Sequence, residues 1–231
     1  MSRKRNIERL LEQWGGTFSS GLGIDIESGR SDEIFKWFLA SILFGTRIRQ
    51  NVAEKTYRQF ENNRVLTPDD ILATGWDGLV EILDSGGYVR YNFKTATKLL
   101  EIAGLLNTRY SGDLNNLHEE AKDAADLETK LDEFKGVGPV TVNIFLRELR
   151  GIWEKADPLP GDRVIEAAMD LGFISSARKD RKERKRDLET VWERTGLSGN
   201  FSVFEASLVR YGIELRRQKR RGKEILNPFG P

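Results

Sequence analysis

The sequence predicts an all-α protein on three observations. Apolar residues recur every three or four positions along most of the chain, which is the period of an amphipathic helix. Signals that start and stop helices, such as Thr67-Pro68 and Gly86-Gly87, separate these segments. No pair of alternating segments indicates two neighbouring β-strands. We therefore expect about ten helices and no sheet.

Composition limits the classes of function. The 231 residues are 39% apolar and 32% charged, which is typical of a soluble protein with one or two domains. The absence of cysteine excludes disulfides and thiolate metal sites, and a single histidine leaves little material for a zinc site. We expect no metal, no cofactor and no membrane span. The N-terminus lacks a secretory signal, so we expect a cytoplasmic protein. We also expect a monomer.

The first part of the chain divides into helical segments at its glycines and prolines. The segment that starts with Ser31 has two acidic residues in its first turn, and Thr67-Pro68 combines a cap with a proline at the first helical position. The predicted segments are residues 3–14, 31–44, one ending at Phe60, one starting at Pro68, 77–83 and 92–106.

The stretch from Leu127 to Asp162 carries the most information. Leu127, Leu131 and Phe134 form the apolar face of one helix, and Gly136 follows where a helix end favours positive φ. Gly138 suits the N-cap and Pro139 the first position of the next helix. A tight glycine turn thus joins two helices.

Such a turn favours anion binding. Free backbone N–H groups at a helix N-terminus attract negative charge, and glycines let a phosphate approach closely. These contacts bind a nucleic-acid backbone without reading its sequence. An ordinary connection between two helices is the alternative. The candidate residues for binding the DNA backbone are Lys135, Gly136, Val137, Gly138, Val140 and Thr141.

At this point the chain resembles the helix-hairpin-helix DNA glycosylases, a family that includes endonuclease III. The matching segments are Gly136-Val137-Gly138-Pro139-Val140-Thr141 and Leu159-Pro160-Gly161-Asp162-Arg163-Val164-Ile165. The second segment is most similar to the aspartate loop of the alkylpurine glycosylase branch. The resemblance implies two helical domains with a cleft between them, residues 31–150 in one and residues 1–30 plus 151–231 in the other.

The resemblance also implies a hydrolytic, monofunctional enzyme. Bifunctional members form a Schiff base through a lysine at the position that Val140 occupies here, and neither Lys135 nor Lys155 matches that position. The iron–sulfur cluster of endonuclease III requires four cysteines, and this chain has none.

Asp162 is the catalytic residue that the resemblance implies. Breaking an N-glycosidic bond makes the sugar cationic, and a nearby carboxylate stabilises that charge and positions or deprotonates a water. Aspartate is also an ordinary N-cap, and Asp162 precedes a predicted helix, so both roles are compatible. Asp157 is the reserve candidate because its spacing from the hairpin suits the endonuclease III branch.

Four further residues are candidates for the base pocket or for a wedge in the duplex. Phe44 and Arg47 lie in the region where family members often place a pocket or wedge glutamine. Tyr88 and Tyr91 lie in the loop that, by resemblance, faces the damaged base. The alternative is that these tyrosines pack a helix junction; we expect packing for one and function for the other.

The C-terminal third is basic. Helices are predicted over residues 163–171, 178–195 and 201–217, with basic clusters at residues 178–186 and 216–223. Each cluster is either a solvated helix face or a sequence-independent contact with DNA.

Three hypotheses of function follow. The first is a monofunctional glycosylase that removes a damaged or mismatched base from double-stranded DNA in base excision repair. The second is a bifunctional glycosylase/lyase whose amine lies elsewhere. The third is a non-catalytic DNA-binding protein. The aspartate loop favours alkylated purines, with deaminated or oxidised bases and mismatched thymine still open.

Overall fold

The computed structural model describes residues 3–175 and 180–222, and this part of the chain is helical without a β-strand, as predicted. One isolated bridge joins Arg150 and Trp153. The helices are α1 (Arg3–Trp14), α2 (Phe18–Gly21), a 3₁₀ turn (Ile26–Ser28), α3 (Ser31–Phe44), α4 (Gln50–Asn62), α5 (Pro68–Ser85), α6 (Asn92–Tyr110), α7 (Leu114–Glu120), α8 (Ala124–Asp132), α9 (Pro139–Glu148), α10 (Asp162–Asp170), α11 (Arg181–Glu193) and α12 (Phe201–Arg220).

The chain forms two compact units. One comprises residues 22–157 and is called here the hairpin unit; the other comprises residues 1–21 and 158–231 and is called the terminal unit. The predicted division was at residues 31 and 151. The 3₁₀ turn packs on α3, and Trp153 stacks on His118 with ring centroids 4.8 Å apart. These contacts place residues 22–30 and 151–157 in the hairpin unit.

Helix α3 is the centre of the hairpin unit. It is buried along most of its length because its body is almost entirely apolar. Trp37 fills its middle and donates its indole N–H to the carbonyl of Phe145 at 3.0 Å. Phe38 packs edge-on against the Phe145 ring at 4.9 Å. Helix α9, the second helix of the hairpin, is thereby fixed to the core.

Helices α5 and α6 form an antiparallel pair in the same unit. Thr67 caps α5 by accepting from the N–H of Asp70, while the Asp70 carboxylate accepts from the N–H of Thr67, so a capping box starts the helix as predicted. Gly75, with φ of 68°, interrupts α5 where the sequence predicted a break between two helices.

The terminal unit combines both ends of the chain. Helix α12 packs on α1 and α10, and Trp14 meets Tyr211 edge-on at 5.3 Å. The Arg210 guanidinium donates to the carbonyls of Trp14 and Thr17 at 3.0 and 2.9 Å and lies 4.3 Å from the Phe18 ring centroid. One arginine therefore attaches the N-terminal segment to the last long helix.

No helix in the described part of the chain combines the length and hydrophobicity needed to cross a membrane.

Candidate nucleic-acid interface and catalytic carboxylate

The glycine turn has the predicted geometry. Helix α8 ends at Asp132, Gly136 has φ of 80°, and the N–H of Val137 bonds to the carbonyl of Phe134 at 2.8 Å. Gly138 is the N-cap of α9 and Pro139 its first residue. The positive φ explains the glycine at 136, because other residues are strained in that conformation.

Gly138 has no such conformational reason to be glycine. Its φ and ψ of −107° and 179° lie in the extended region that any residue adopts. A Cβ built on it would meet no atom within 4 Å. Within the protein, therefore, position 138 has space for a side chain, and the glycine leaves the hairpin backbone open to a ligand.

Several N–H groups of the turn have no acceptor. Within residues 3–175 and 180–222, no hydrogen bond uses the N–H of Gly136, Gly138, Val140 or Thr141. The first intrahelical bond of α9 runs from Val142 to Gly138 at 3.0 Å. Free donors at a helix N-terminus suit an anion such as a phosphate.

The side chains of two candidate residues are buried in the support of the turn. Val137 is 2% exposed, and Thr141 is 4% exposed with its hydroxyl next to Gly45. Thr141 can therefore offer a ligand its backbone N–H but little of its side chain, whereas the N–H of Val137 is already bonded to Phe134.

Two of the candidate residues have exposed side chains, Lys135 and Val140. The Lys135 ammonium bonds to the Glu101 carboxylate at 2.7 Å. Val140 is 63% exposed, so the position that resembles the Schiff-base lysine of bifunctional enzymes faces solvent with an isopropyl group.

The structure distinguishes the two tyrosines of the predicted loop. Tyr88 is fully buried and donates its hydroxyl to the carbonyl of Leu43 at 3.2 Å, and burial raises its pKa to about 12. Tyr91 is partly exposed, packs edge-on against Tyr88 at 6.4 Å and has the Arg90 guanidinium 5.3 Å from its ring centroid. Tyr88 has the surroundings of a packing residue, and Tyr91 retains a surface for stacking.

The other two pocket candidates differ in exposure. Phe44 is half-buried at the end of α3, with its ring centroid 6.4 Å from that of Trp37. Arg47 is exposed in the turn that follows.

Sequence reasoning missed an exposed aromatic pair in the hairpin unit. Trp76 and Phe93, 41% and 59% exposed, stack with centroids 5.4 Å apart. The Trp76 indole N–H bonds to the hydroxyl of Thr97 at 3.1 Å. Thr97 follows Phe93 by one turn of α6, so the two residues lie on the same face of the helix. The polar Thr97 on that face was the signal in the sequence that Phe93 is exposed.

Asp162 belongs to the terminal unit, where it is the first residue of α10. Gly161 is the N-cap, so the alternative role of Asp162 as the cap is not met in the structure. The Asp162 side chain is 74% exposed and accepts from Arg181 at 2.6 Å through Oδ1. Its Oδ2 has no hydrogen bond within the described ranges, 3–175 and 180–222.

A second arginine, Arg216, interacts electrostatically with Asp162. Arg216 forms a two-point ion pair with Glu166, both bonds 2.7 Å long. Glu166 and, more weakly, Asp162 raise the pKa of Arg216. The Arg216 hydrogen bonds lower the pKa of Glu166. Residues 180–186 and 216–222 represent the two predicted basic clusters in the structure; residues 178, 179 and 223 lie outside its described part.

Lys155 and the reserve candidate Asp157 belong to the hairpin unit. The Lys155 ammonium donates to the carbonyls of His118 and Glu119 at 2.8 and 3.3 Å, so this amine is engaged. Asp157 is exposed. Burial and, secondly, the charge of Asp157 raise the pKa of Glu128.

Comparison with known proteins supports the fold. No family model matches the chain, and no curated protein is significantly similar in sequence. Among solved structures, the H. pylori 3-methyladenine DNA glycosylase MagIII, bound to 1,N6-ethenoadenine, matches with a TM-score of 0.55 and 15% identity. The match covers 95% of this chain and 99% of that one. The chain therefore shares the fold of this DNA glycosylase, and the all-α fold predicted from its sequence is confirmed.

Proposed function

We propose that this protein is a monofunctional DNA glycosylase that removes a damaged or mismatched base from double-stranded DNA in base excision repair. The observation that carries the proposal is Asp162, an exposed carboxylate at the start of a helix in a fold shared with a DNA glycosylase. In the resemblance that the sequence shows, this position holds the essential aspartate.

The hairpin supplies the contact with DNA. Unused N–H groups at Gly138 and at the start of α9 can bind a backbone phosphate, and Gly138 leaves them accessible. Phosphate contacts of this kind position an enzyme without selecting a sequence. They suit a protein that must examine bases in any context.

The chemistry is hydrolysis. The bond between C1′ of the deoxyribose and the base nitrogen breaks, and the bonding electrons leave with the base. A water oxygen bonds to C1′, and its proton is transferred to the carboxylate or to the departing base. Asp162 stabilises the cationic sugar and orients that water through the oxygen that Arg181 does not occupy. Val140 cannot form a Schiff base, which supports the monofunctional assignment.

Alkylated purines are the substrates to test first. MagIII is a 3-methyladenine glycosylase and its structure contains 1,N6-ethenoadenine. The partly exposed Tyr91 ring in the proposed base-facing loop suits stacking on a flat, extruded base.

The direct test is a panel of duplexes, each with one lesion. The panel includes 3-methyladenine, 1,N6-ethenoadenine, hypoxanthine, uracil, 8-oxoguanine and mismatched thymine. We expect release of the free base and an abasic site that breaks on heating with alkali. DNA binding without base release from any duplex would favour the non-catalytic alternative.

A further inference from the structure

Lys98, a residue of α6, lies against the hairpin. A Cβ built on Gly136 would come within 2.9 Å of Lys98 Cε and 3.4 Å of its Cδ. The aliphatic part of the lysine therefore covers the glycine of positive φ and carries its ammonium group to the edge of the turn.

The Lys98 ammonium has no anionic partner in residues 3–175 and 180–222. Glu101, three residues further along α6, is hydrogen-bonded to Lys135 instead. Lys98 is half-buried, and burial lowers its pKa. A cation removed from water without compensation reduces stability, which is why such groups are normally paired.

We propose that Lys98 is a DNA-phosphate ligand of this enzyme and acts together with the free N–H groups of the hairpin. The inference deepens the proposed function and rests on it. A phosphate beside Gly136 would supply the negative charge that Lys98 does not find among the described residues. Lys135, in contrast, already has its carboxylate.

Lys98→Met tests the inference because methionine keeps much of the aliphatic stem and removes the charge. We expect weaker binding to any duplex, damaged or undamaged, by about fivefold to tenfold at 0.1 M salt, and a slope of log K against log salt that is smaller by about one. Lys98→Arg should restore most of the slope. We also expect Lys98→Met to unfold at the same or a higher denaturant concentration, because it removes a desolvated charge.

Lys122→Met is the matched control. Lys122 is exposed and precedes α8, at the opposite end of that helix from the hairpin. The Lys122→Met variant should bind DNA with the same slope of log K against log salt as the unaltered protein. Weaker binding by Lys98→Met together with lower stability would instead indicate a structural lysine and overturn the inference.

The same experiment distinguishes the two levels of the proposal. If the unaltered protein binds DNA and Lys98→Met shows an unchanged salt slope, Lys98 is not a phosphate ligand while the proposed function stands. If the unaltered protein binds no duplex, the proposed function itself fails, and the inference fails with it.

Discussion

Arg181 Nη2 lies 2.6 Å from Oδ1 of Asp162, and this ion pair joins the basic helix α11 to the first residue of α10. Both side chains are largely exposed, at 51% and 74%. The pair fixes one oxygen of the carboxylate and leaves the other toward solvent. Its geometry suits a positioning role better than a stabilising one.

Replacing Arg181 tests that role. Arg181→Met should change the free energy of unfolding by less than about 1 kcal/mol, because exposed ion pairs are weak. The single-turnover rate of base release should fall by about tenfold or more, because the carboxylate loses the group that orients it. Chemical denaturation and rapid-quench assays measure the two effects. An unchanged rate would show that Asp162 works without this pair.

The two hairpin glycines should respond differently to alanine. Gly136→Ala should reduce the free energy of unfolding by about 1–2 kcal/mol, because φ is 80° and the new Cβ would contact Lys98. Gly138→Ala should cost less than about 1 kcal/mol, the loss of a favourable cap, because its backbone is extended and its surroundings are open.

Gly138→Ala should affect DNA binding more than it affects stability. Its new methyl group would lie where we place the phosphate, so we expect Gly138→Ala to lose about tenfold in affinity, roughly the strength of one charge-assisted hydrogen bond, while remaining folded. Titration with a fluorescent duplex measures this loss. If Gly138→Ala bound DNA with the affinity of the unaltered protein, the DNA backbone would not approach this position.

A borohydride experiment tests the monofunctional assignment. We expect no covalent adduct with a duplex that contains an abasic site, because Val140 replaces the Schiff-base lysine and Lys155 is engaged with two carbonyls. A trapped adduct would contradict the assignment. Its loss in Lys98→Met or Lys135→Met would then identify the amine.

His118 gives the hairpin unit a measurable dependence on pH. Burial, and secondly the Lys155 charge, lower the pKa of this imidazole, which stacks on Trp153. Well above about pH 6.5 the imidazole is neutral in the folded and unfolded chains, so its shifted pKa does not alter stability. As pH falls through that value the unfolded chain takes up the proton first, and the free energy of unfolding decreases.

His118 is the only histidine in the sequence, so its contribution can be isolated. His118→Phe keeps a ring against Trp153 and cannot titrate. The decrease in unfolding free energy between pH 7 and pH 5.5 should therefore be smaller in His118→Phe than in the unaltered protein. Denaturant titrations at several pH values measure this decrease. If the unfolding free energy of the two proteins changed with pH in parallel, His118 would not be the source of the pH dependence.

The hairpin could be predicted from sequence because its causes are local. Positive φ at Gly136 and the proline at the first position of α9 act within a few residues. The partner of Asp162 could not be predicted, because Arg181 lies 19 residues away and meets it only after α11 folds. Which of Tyr88 and Tyr91 is buried was also beyond local reasoning, because the carbonyl that Tyr88 contacts is 45 residues away.

Asp162→Asn gives the most direct test, with Asp157→Asn as its matched control on the reserve candidate. Both variants remove one exposed carboxylate, and the measurement is single-turnover base release from the best substrate of the lesion panel. We predict that Asp162→Asn reduces the rate by at least about a hundredfold, with DNA affinity within a few-fold of the unaltered protein, while Asp157→Asn retains activity. Full activity in Asp162→Asn would contradict the central claim.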